Sequence, residues 1–131
     1  MSTEAVAFLL VKDGRFLAER RKKDREAYPS MLAVPGGRME KGETQEDTLI
    51  REMAEELNVR PLEYGYLLSL VDPEVYDGLI VHYYVVSEWE GDPEPLEAAE
   101  LEWLGLEEAG RIEVPIDRQA VVMYADLREL F

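Results

Sequence analysis

The chain has 131 residues, 29 of them acidic and 14 basic, for a formal net charge of −15. That length suits one domain, residues 1–131, with enough chain to bury a core without disulfides or a structural metal. The charge opposes extended contact with a nucleic-acid polymer, and the lack of cysteine excludes a disulfide framework, thiol catalysis and a cysteine zinc site.

At the N-terminus the apolar run from Ala5 to Val11 has no basic region before it and is too short to span a bilayer, so no membrane partner is expected. A cysteine-free chain of this kind is compatible with the cytoplasm. Glu4 to Lys12 is apolar and partly β-branched and is followed by Asp13-Gly14 and Phe16-Leu17-Ala18, which predicts a hairpin with a tight turn. Next comes the basic cluster Arg20-Arg21-Lys22-Lys23-Asp24-Arg25. It reads either as a solvated strand end or as a phosphate-steering patch, and in the second case Arg20 and Arg21 are the candidate substrate contacts.

Tyr28-Pro29-Ser30 marks a turn, and Met31 to Val34 forms a short strand leading into a Pro35-Gly36-Gly37 loop. Paired glycines let backbone approach a ligand, so the Gly36 carbonyl is a candidate metal ligand alongside the reading as an ordinary turn. A helix is then predicted from Thr44, whose hydroxyl caps a backbone N–H near Asp47, to Leu57, with Asn58 closing it in the left-handed conformation. At about 100° per residue, Ile50, Met53, Ala54 and Leu57 share a core face, with Glu52, Glu55 and Glu56 clustered on the other side. Such like charges repel on a bare helix, and a hard cation reverses that sign.

Beyond Pro61, the segments Tyr64 to Val71 and Leu79 to Val86 are predicted to pair, separated by turn-like Asp72-Pro73-Glu74 and Asp77-Gly78. The single histidine, His82, lies within the second and reads as a hydrogen-bonded sheet residue rather than a general base. Glu88 to Pro93 is expected to turn, Ala99 to Leu104 to form a strand, and Glu107 to Ile112 to make a helical turn broken at Gly110. From Asp117, a candidate N-cap, a last helix presents Val121, Val122, Tyr124 or Ala125, Leu127 and Leu130 to the core. Periodicity by itself supports an α+β domain.

The stretch Gly37 to Val59 resembles the signature of the Nudix hydrolases, G-x5-E-x7-R-E-U-x-E-E-x-G-U with U a bulky aliphatic. Gly37, Glu43, Arg51, Glu52, Met53, Glu55, Glu56 and Val59 fall in register, and Asn58 replaces the last glycine. Trp89-Glu90-Gly91-Asp92-Pro93 with the later Trp103 is similar to the family's MutT-like branch. The resemblance implies the Nudix fold, a mixed β-sheet sandwiched between α-helices. It also implies Mg2+ or Mn2+ held by Glu52, Glu55, Glu56, the Gly36 carbonyl and a loop carboxylate. Glu97 aligns with that carboxylate, Glu100 competes with it, and a plain solvated loop is the other reading.

On the same resemblance Glu52 and Glu55 belong to the catalytic set with Arg51, and Glu52 is favoured as base. Arg51 orients carboxylates, and Gly37, Glu43 and Asn58 support the motif. Asp117 stands where the branch places a residue that reads the nucleobase, a role it could combine with capping. The implied reaction is hydrolysis of a diphosphate linkage in a nucleoside diphosphate derivative. The favoured substrate is a nucleoside triphosphate, an oxidised purine one among them, cleaved to monophosphate and pyrophosphate by a monomer or homodimer. ADP-ribose and dinucleoside polyphosphates are the alternatives within the family, and the Pro73 and Tyr76 markers do not separate them. A nucleotide-binding module without turnover is the alternative from another class.

Overall fold

A computed structural model describes residues 3–75 and 78–128. In chain order the elements are β1 (Glu4–Lys12), β2 (Arg15–Arg20), β3 (Leu32–Ala33), β4 (Gly36–Arg38), α1 (Gln45–Leu57), β5 (Arg60–Asp72), β6 (Leu79–Glu90), β7 (Glu100–Gly105), a 3-10 segment (Leu106–Arg111) and α2 (Pro115–Arg128). None of the described helices is long and apolar enough to cross a membrane.

The fold is built around β1. One edge pairs in parallel with β6, from Glu4 opposite Ile80 to Leu10 opposite Val86. Its other edge is shared, antiparallel to β4 across Ala5 to Ala7 and to β2 at Val11 and Lys12. Outward from β1, β6 pairs with β5, and β2 pairs with both β3 and β7, which completes a mixed sheet.

Alternate residues of β1 serve two cores, which is why Ala5 to Leu10 is buried without interruption. Ala5, Ala7 and Leu9 join Leu104, Ile112 and the α2 residues Ala120 and Val121, while Val6, Phe8 and Leu10 join Leu49, Met53 and Leu57 of α1. The sheet therefore lies between the two helices, as the resemblance implies. The hairpin turn has positive φ at both Asp13 (52°) and Gly14 (75°), the combination a two-residue turn needs to follow the strand twist.

Several local expectations change. Gly36 and Gly37 lie in β4, not a free loop. A Cβ on Gly36 would sit 2.6 Å from the Val6 carbonyl oxygen and 2.9 Å from the Ala7 Cα, so glycine is what lets this segment lie against β1. Glu88 to Glu90 continue β6 and the chain turns at Gly91, with φ of 103°. Trp89 stacks on Trp103 with ring centroids 6.0 Å apart and faces Pro61, which β5 tolerates as the outer strand at a register shift.

Helix α1 is rotated from its expected orientation. Its buried arc runs from Glu52 through Glu56, Leu49 and Met53 to Leu57, while Ile50 (46% exposed) and Ala54 lie outside it. Both β1 and β4 press on this helix, and Gly37 of β4 leaves room for the Glu52 carboxylate against it. The 3-10 segment passes through Gly110 without a break. Helix α2 starts at Pro115, a residue preorganised for the first helical position, so Asp117 lies inside the first turn and is not the cap. Val122 and Leu127 face outward, while Ala120 and Val121 are buried; Leu130, Tyr76 and Asp77 lie outside the described residues.

Candidate functional site

The motif helix is fixed at both ends by local chemistry. Thr44 Oγ1 accepts from Asp47 N–H at 3.1 Å and Asp47 Oδ2 accepts from Thr44 N–H at 3.0 Å, a reciprocal capping box. At the other end Asn58 has φ 57° and ψ 39°, and its side-chain amide donates to Glu94 at 2.7 Å. Asparagine thus supplies the left-handed stop that glycine gives elsewhere and adds a tie to the loop after β6.

Arg51 organises the charged surface of this helix. Its Nε and Nη2 donate to the two Glu43 oxygens at 2.7 and 2.9 Å, Nη1 donates to Glu52 Oε1 at 2.6 Å and Glu55 Oε2 at 3.1 Å, and Nη2 also reaches the Arg38 carbonyl at 2.9 Å. The guanidinium holds the Glu43 carboxyl down at about 2, helped by the Glu40 backbone N–H, which donates to it at 2.7 Å. Glu43, Arg51 and the β4 backbone form one fastening.

Three carboxylates converge beside it: an oxygen from each of Glu52, Glu55 and Glu97 lies within 4.8 Å of the others. Glu97, and not Glu100, is the loop residue in this group; Glu100 opens β7 opposite Arg20. Gly37 lies so close to the Glu52 carboxylate that a Cβ there would overlap it, which explains the glycine that opens the motif. Phe8 N–H donates to the Pro35 carbonyl and Met39 N–H to the Glu4 carbonyl, so on this alternating ladder Gly37 is the hydrogen-bonded partner of Val6. The Gly36 and Arg38 carbonyls then turn away from β1, and Arg38 meets Arg51 of α1, so the Gly36 carbonyl points to the helix side as well.

Glu56, the other expected ligand, stands outside that group of three. It is 3% exposed, and its Oε2 is the buried side-chain oxygen that lacks a hydrogen-bond partner among the described residues. Burial pushes its carboxyl well above the usual range, and Glu19, Glu52 and Glu97 add to the rise. Burial also raises Glu52, against the opposing pull of Arg51. Glu19 of β2 is itself buried and is raised to about 7 by desolvation, with Arg21 pulling it down and Asp117 pushing it up. A buried, partnerless carboxylate oxygen beside three converging carboxylates is a hard-oxygen donor set, and that chemistry fits a divalent cation.

Glu52, Glu56, Glu97 and Gly36 line a cavity of about 420 Å³ that also takes in Arg21, Arg25, Tyr28, Asp72 and Asp117. Asp117 is buried in its wall: Oδ2 accepts from the Val34 N–H at 3.0 Å and Oδ1 from the Tyr83 hydroxyl at 2.5 Å. Burial raises its carboxyl to about 6, with those two bonds opposing. Asp72, at the end of β5, accepts the Tyr28 hydroxyl at 2.9 and 3.0 Å and the Glu74 N–H at 3.0 Å.

Of the two expected arginines the structure brings only Arg21 to this cavity. Arg20 turns to Glu113 at 2.6 Å and to the Ser30 carbonyl at 3.1 Å, because adjacent strand residues face opposite ways. His82 is away from the cavity, bonded through Nδ1 to Ser69 at 2.6 Å and through Nε2 to Glu4 at 2.8 Å, the sheet role expected of it. Sequence reasoning missed Glu19, Arg25, Tyr28, Asp72 and Tyr83. The available signals were slight: Glu19 interrupts an apolar strand, and Asp72 reads as a turn residue.

A mixed sheet between two helices, with an acidic helix face opening on one cleft, defines a small α+β enzyme class. The NUDIX domain family matches residues 1–125. The chain is 31% identical over 103 residues to the 8-oxo-dGTP diphosphatase of Escherichia coli, covering 78% of each protein. It is 29% identical over 108 residues to the E. coli CTP pyrophosphohydrolase, covering 81% of this chain and 78% of that one. The solution structure of the E. coli ORF135 protein superposes with a TM-score of 0.83 at 26% identity, over 95% of this chain and 89% of that one. The chain belongs to the Nudix hydrolases, in their MutT-like branch.

Proposed function

We propose that the protein hydrolyses a nucleoside triphosphate to the monophosphate and pyrophosphate with the help of Mg2+ or Mn2+. The observation that carries this reading is the convergence of Glu52, Glu55 and Glu97 within 4.8 Å, with Glu52 and Glu97 lining a cavity that also takes in arginines and the buried Glu56, one of whose oxygens has no partner among the described residues. The two named E. coli relatives act on nucleoside triphosphates, which favours that substrate class over ADP-ribose and dinucleoside polyphosphates.

Glu52, Glu55, Glu56 and Glu97, with the Gly36 carbonyl, are the groups that would hold the cation. When bound, a divalent ion neutralises charge on diphosphate oxygens and makes water a better nucleophile. Arg51 fixes Glu52 through Oε1 and leaves Oε2 to accept the proton of the attacking water. Burial of Glu52 raises its affinity for that proton, in the direction a base requires. Arg21, anchored by its Nε to the Ala27 carbonyl at 2.9 Å, keeps its terminal nitrogens for substrate phosphate, and Arg25 lines the same space. Asp117 contributes to the wall against which a base would rest.

The test is chromatographic detection of the split products, mononucleotides in every case and pyrophosphate from the triphosphates, with a panel of nucleoside triphosphates, dinucleoside polyphosphates and ADP-ribose, with and without Mg2+. Turnover of triphosphates that stops on chelation is expected. Hydrolysis of none of these compounds would leave a nucleotide-binding module in its place.

A further inference from the structure

The diphosphate chemistry leaves part of the cavity wall unused. Tyr28 and Asp72 line it with Asp117, and among these three the polar hydrogens are turned into carboxylates, not toward the cavity. Tyr83 and the Val34 N–H donate to Asp117, while Tyr28 and the Glu74 N–H donate to Asp72. A carboxylate has about four lone-pair positions, so the two donors on Asp72 leave acceptor capacity, mainly on Oδ2, for a ligand. What a ligand meets on this stretch of wall is acceptors.

The placement of Tyr28 is also unusual. It has φ of 49°, a left-handed conformation that a bulky residue adopts only when the surroundings enforce it. Here the fork on Asp72, the Arg21 bond to Ala27 and the Met31 N–H bond to the Tyr28 carbonyl at 3.3 Å hold it. Burial and the bond to Asp72 push the phenol far above its ordinary value, so it remains an O–H donor throughout the working pH range. Asp72 is 3% exposed, and its carboxylate is held by the Tyr28 hydroxyl and the Glu74 N–H.

We infer that Asp72, positioned by Tyr28, determines base specificity by selecting nucleotides whose base carries an exocyclic amino group over those with a carbonyl in its place. The inference rests on the nucleotide reading above. An amino group donates to the spare Asp72 lone pair as a charge-assisted bond, whereas a carbonyl sets acceptor against acceptor in a partly dry wall. Discrimination therefore comes from a repulsive element as much as from an attractive one.

Binding of monophosphates tests this without any turnover. By calorimetry, the amino-bearing member of at least one of the pairs CMP and UMP, or AMP and IMP, should bind about tenfold or more tightly, the order expected for one hydrogen bond to a charged group. Asp72→Asn, which offers a donor in place of an oxygen, should bring that ratio to within about threefold, and Tyr28→Phe should narrow it by releasing Asp72. Ratios within about threefold for both pairs in the unmodified protein overturn the inference, as does an unchanged ratio in a folded Asp72→Asn protein. If Asp72→Asn does not fold, an unchanged ratio in Tyr28→Phe overturns the positioning role. Selective binding of CMP or AMP together with no hydrolysis of any diphosphate would sink the proposed reaction and leave Asp72 in place.

Discussion

Arg51 and Glu56 sit on the same helix, and the fold treats their charges in opposite ways. Arg51 is matched by oxygens of Glu43, Glu52 and Glu55 and by the Arg38 carbonyl. Glu56 is buried with an oxygen that has no partner and has acidic neighbours in Glu19, Glu52 and Glu97. The matched charge stabilises the domain, tying α1 to the segment that follows β4. The unmatched charge costs stability, and the cation proposed for this site would offset that cost.

The largest expected effect breaks the Glu56 side of this comparison. Glu56→Gln should lower Mg2+-dependent turnover by about three orders of magnitude, while melting in chelator at about pH 5, where the acid is protonated, stays close to that of the unmodified protein. The neutral amide resembles the protonated acid that burial already favours, so a large loss of thermal stability would argue for a structural Glu56. Arg51→Met acts on the other side. It should destabilise the domain by roughly 3 kcal/mol in denaturant titrations, because Glu43 and Glu52 lose their common donor. An effect under about 1 kcal/mol would reduce the fastening to an ordinary surface pair.

The two sites also carry opposite pH signatures. Glu43 is held at about 2, below its ordinary 4.5, so its stabilisation is present above pH 4.5 and is lost as pH falls through 2. Glu56, Glu19 (to about 7) and Asp117 (to about 6) are raised, so their contribution is present in acid and is lost as pH rises through those shifted values. Melts in chelator should therefore show stability declining from about pH 5 to 8, and Glu56→Gln should flatten that decline. A profile that rises over this interval would contradict the burial of these acids.

Smaller effects separate neighbours. Glu97→Gln should reduce turnover by about tenfold or more, and Glu100→Gln should leave it within about twofold, since only Glu97 reaches the cluster. Equal losses would remove the distinction. Smallest of all, Asn58→Gly should change stability by less than about 1 kcal/mol, the relief of the left-handed backbone offsetting the lost Glu94 bond.

Much of this was readable along the chain. Thr44, Asp47 and Asn58 bracket α1 through contacts spanning a few residues, and the spacing from Glu43 to Glu56 identifies the family whatever surrounds it. The rotation of α1 was not readable, because Ile50 and Leu49 are both apolar and only the pressure of β1 and β4 decides which is buried. The same holds for Gly36 and Gly37, which look like turn glycines and prove to be strand residues pressed against Val6 and Glu52. Arg20 and Arg21 are adjacent and chemically alike, and which of them meets the cavity depends on the register of β2 with its neighbours.

By itself the sequence determined the family, the sheet-and-helix composition and the motif carboxylates, because each rests on short-range spacing that a chain carries wherever it folds. Tertiary structure alone decided that Glu56 would be orphaned, that Glu97 would join Glu52 and Glu55, and that Asp72 would be clasped by Tyr28. Those outcomes depend on burial and on groups far apart in the chain, and a carboxylate's behaviour is set by the water and the donors that the fold leaves around it.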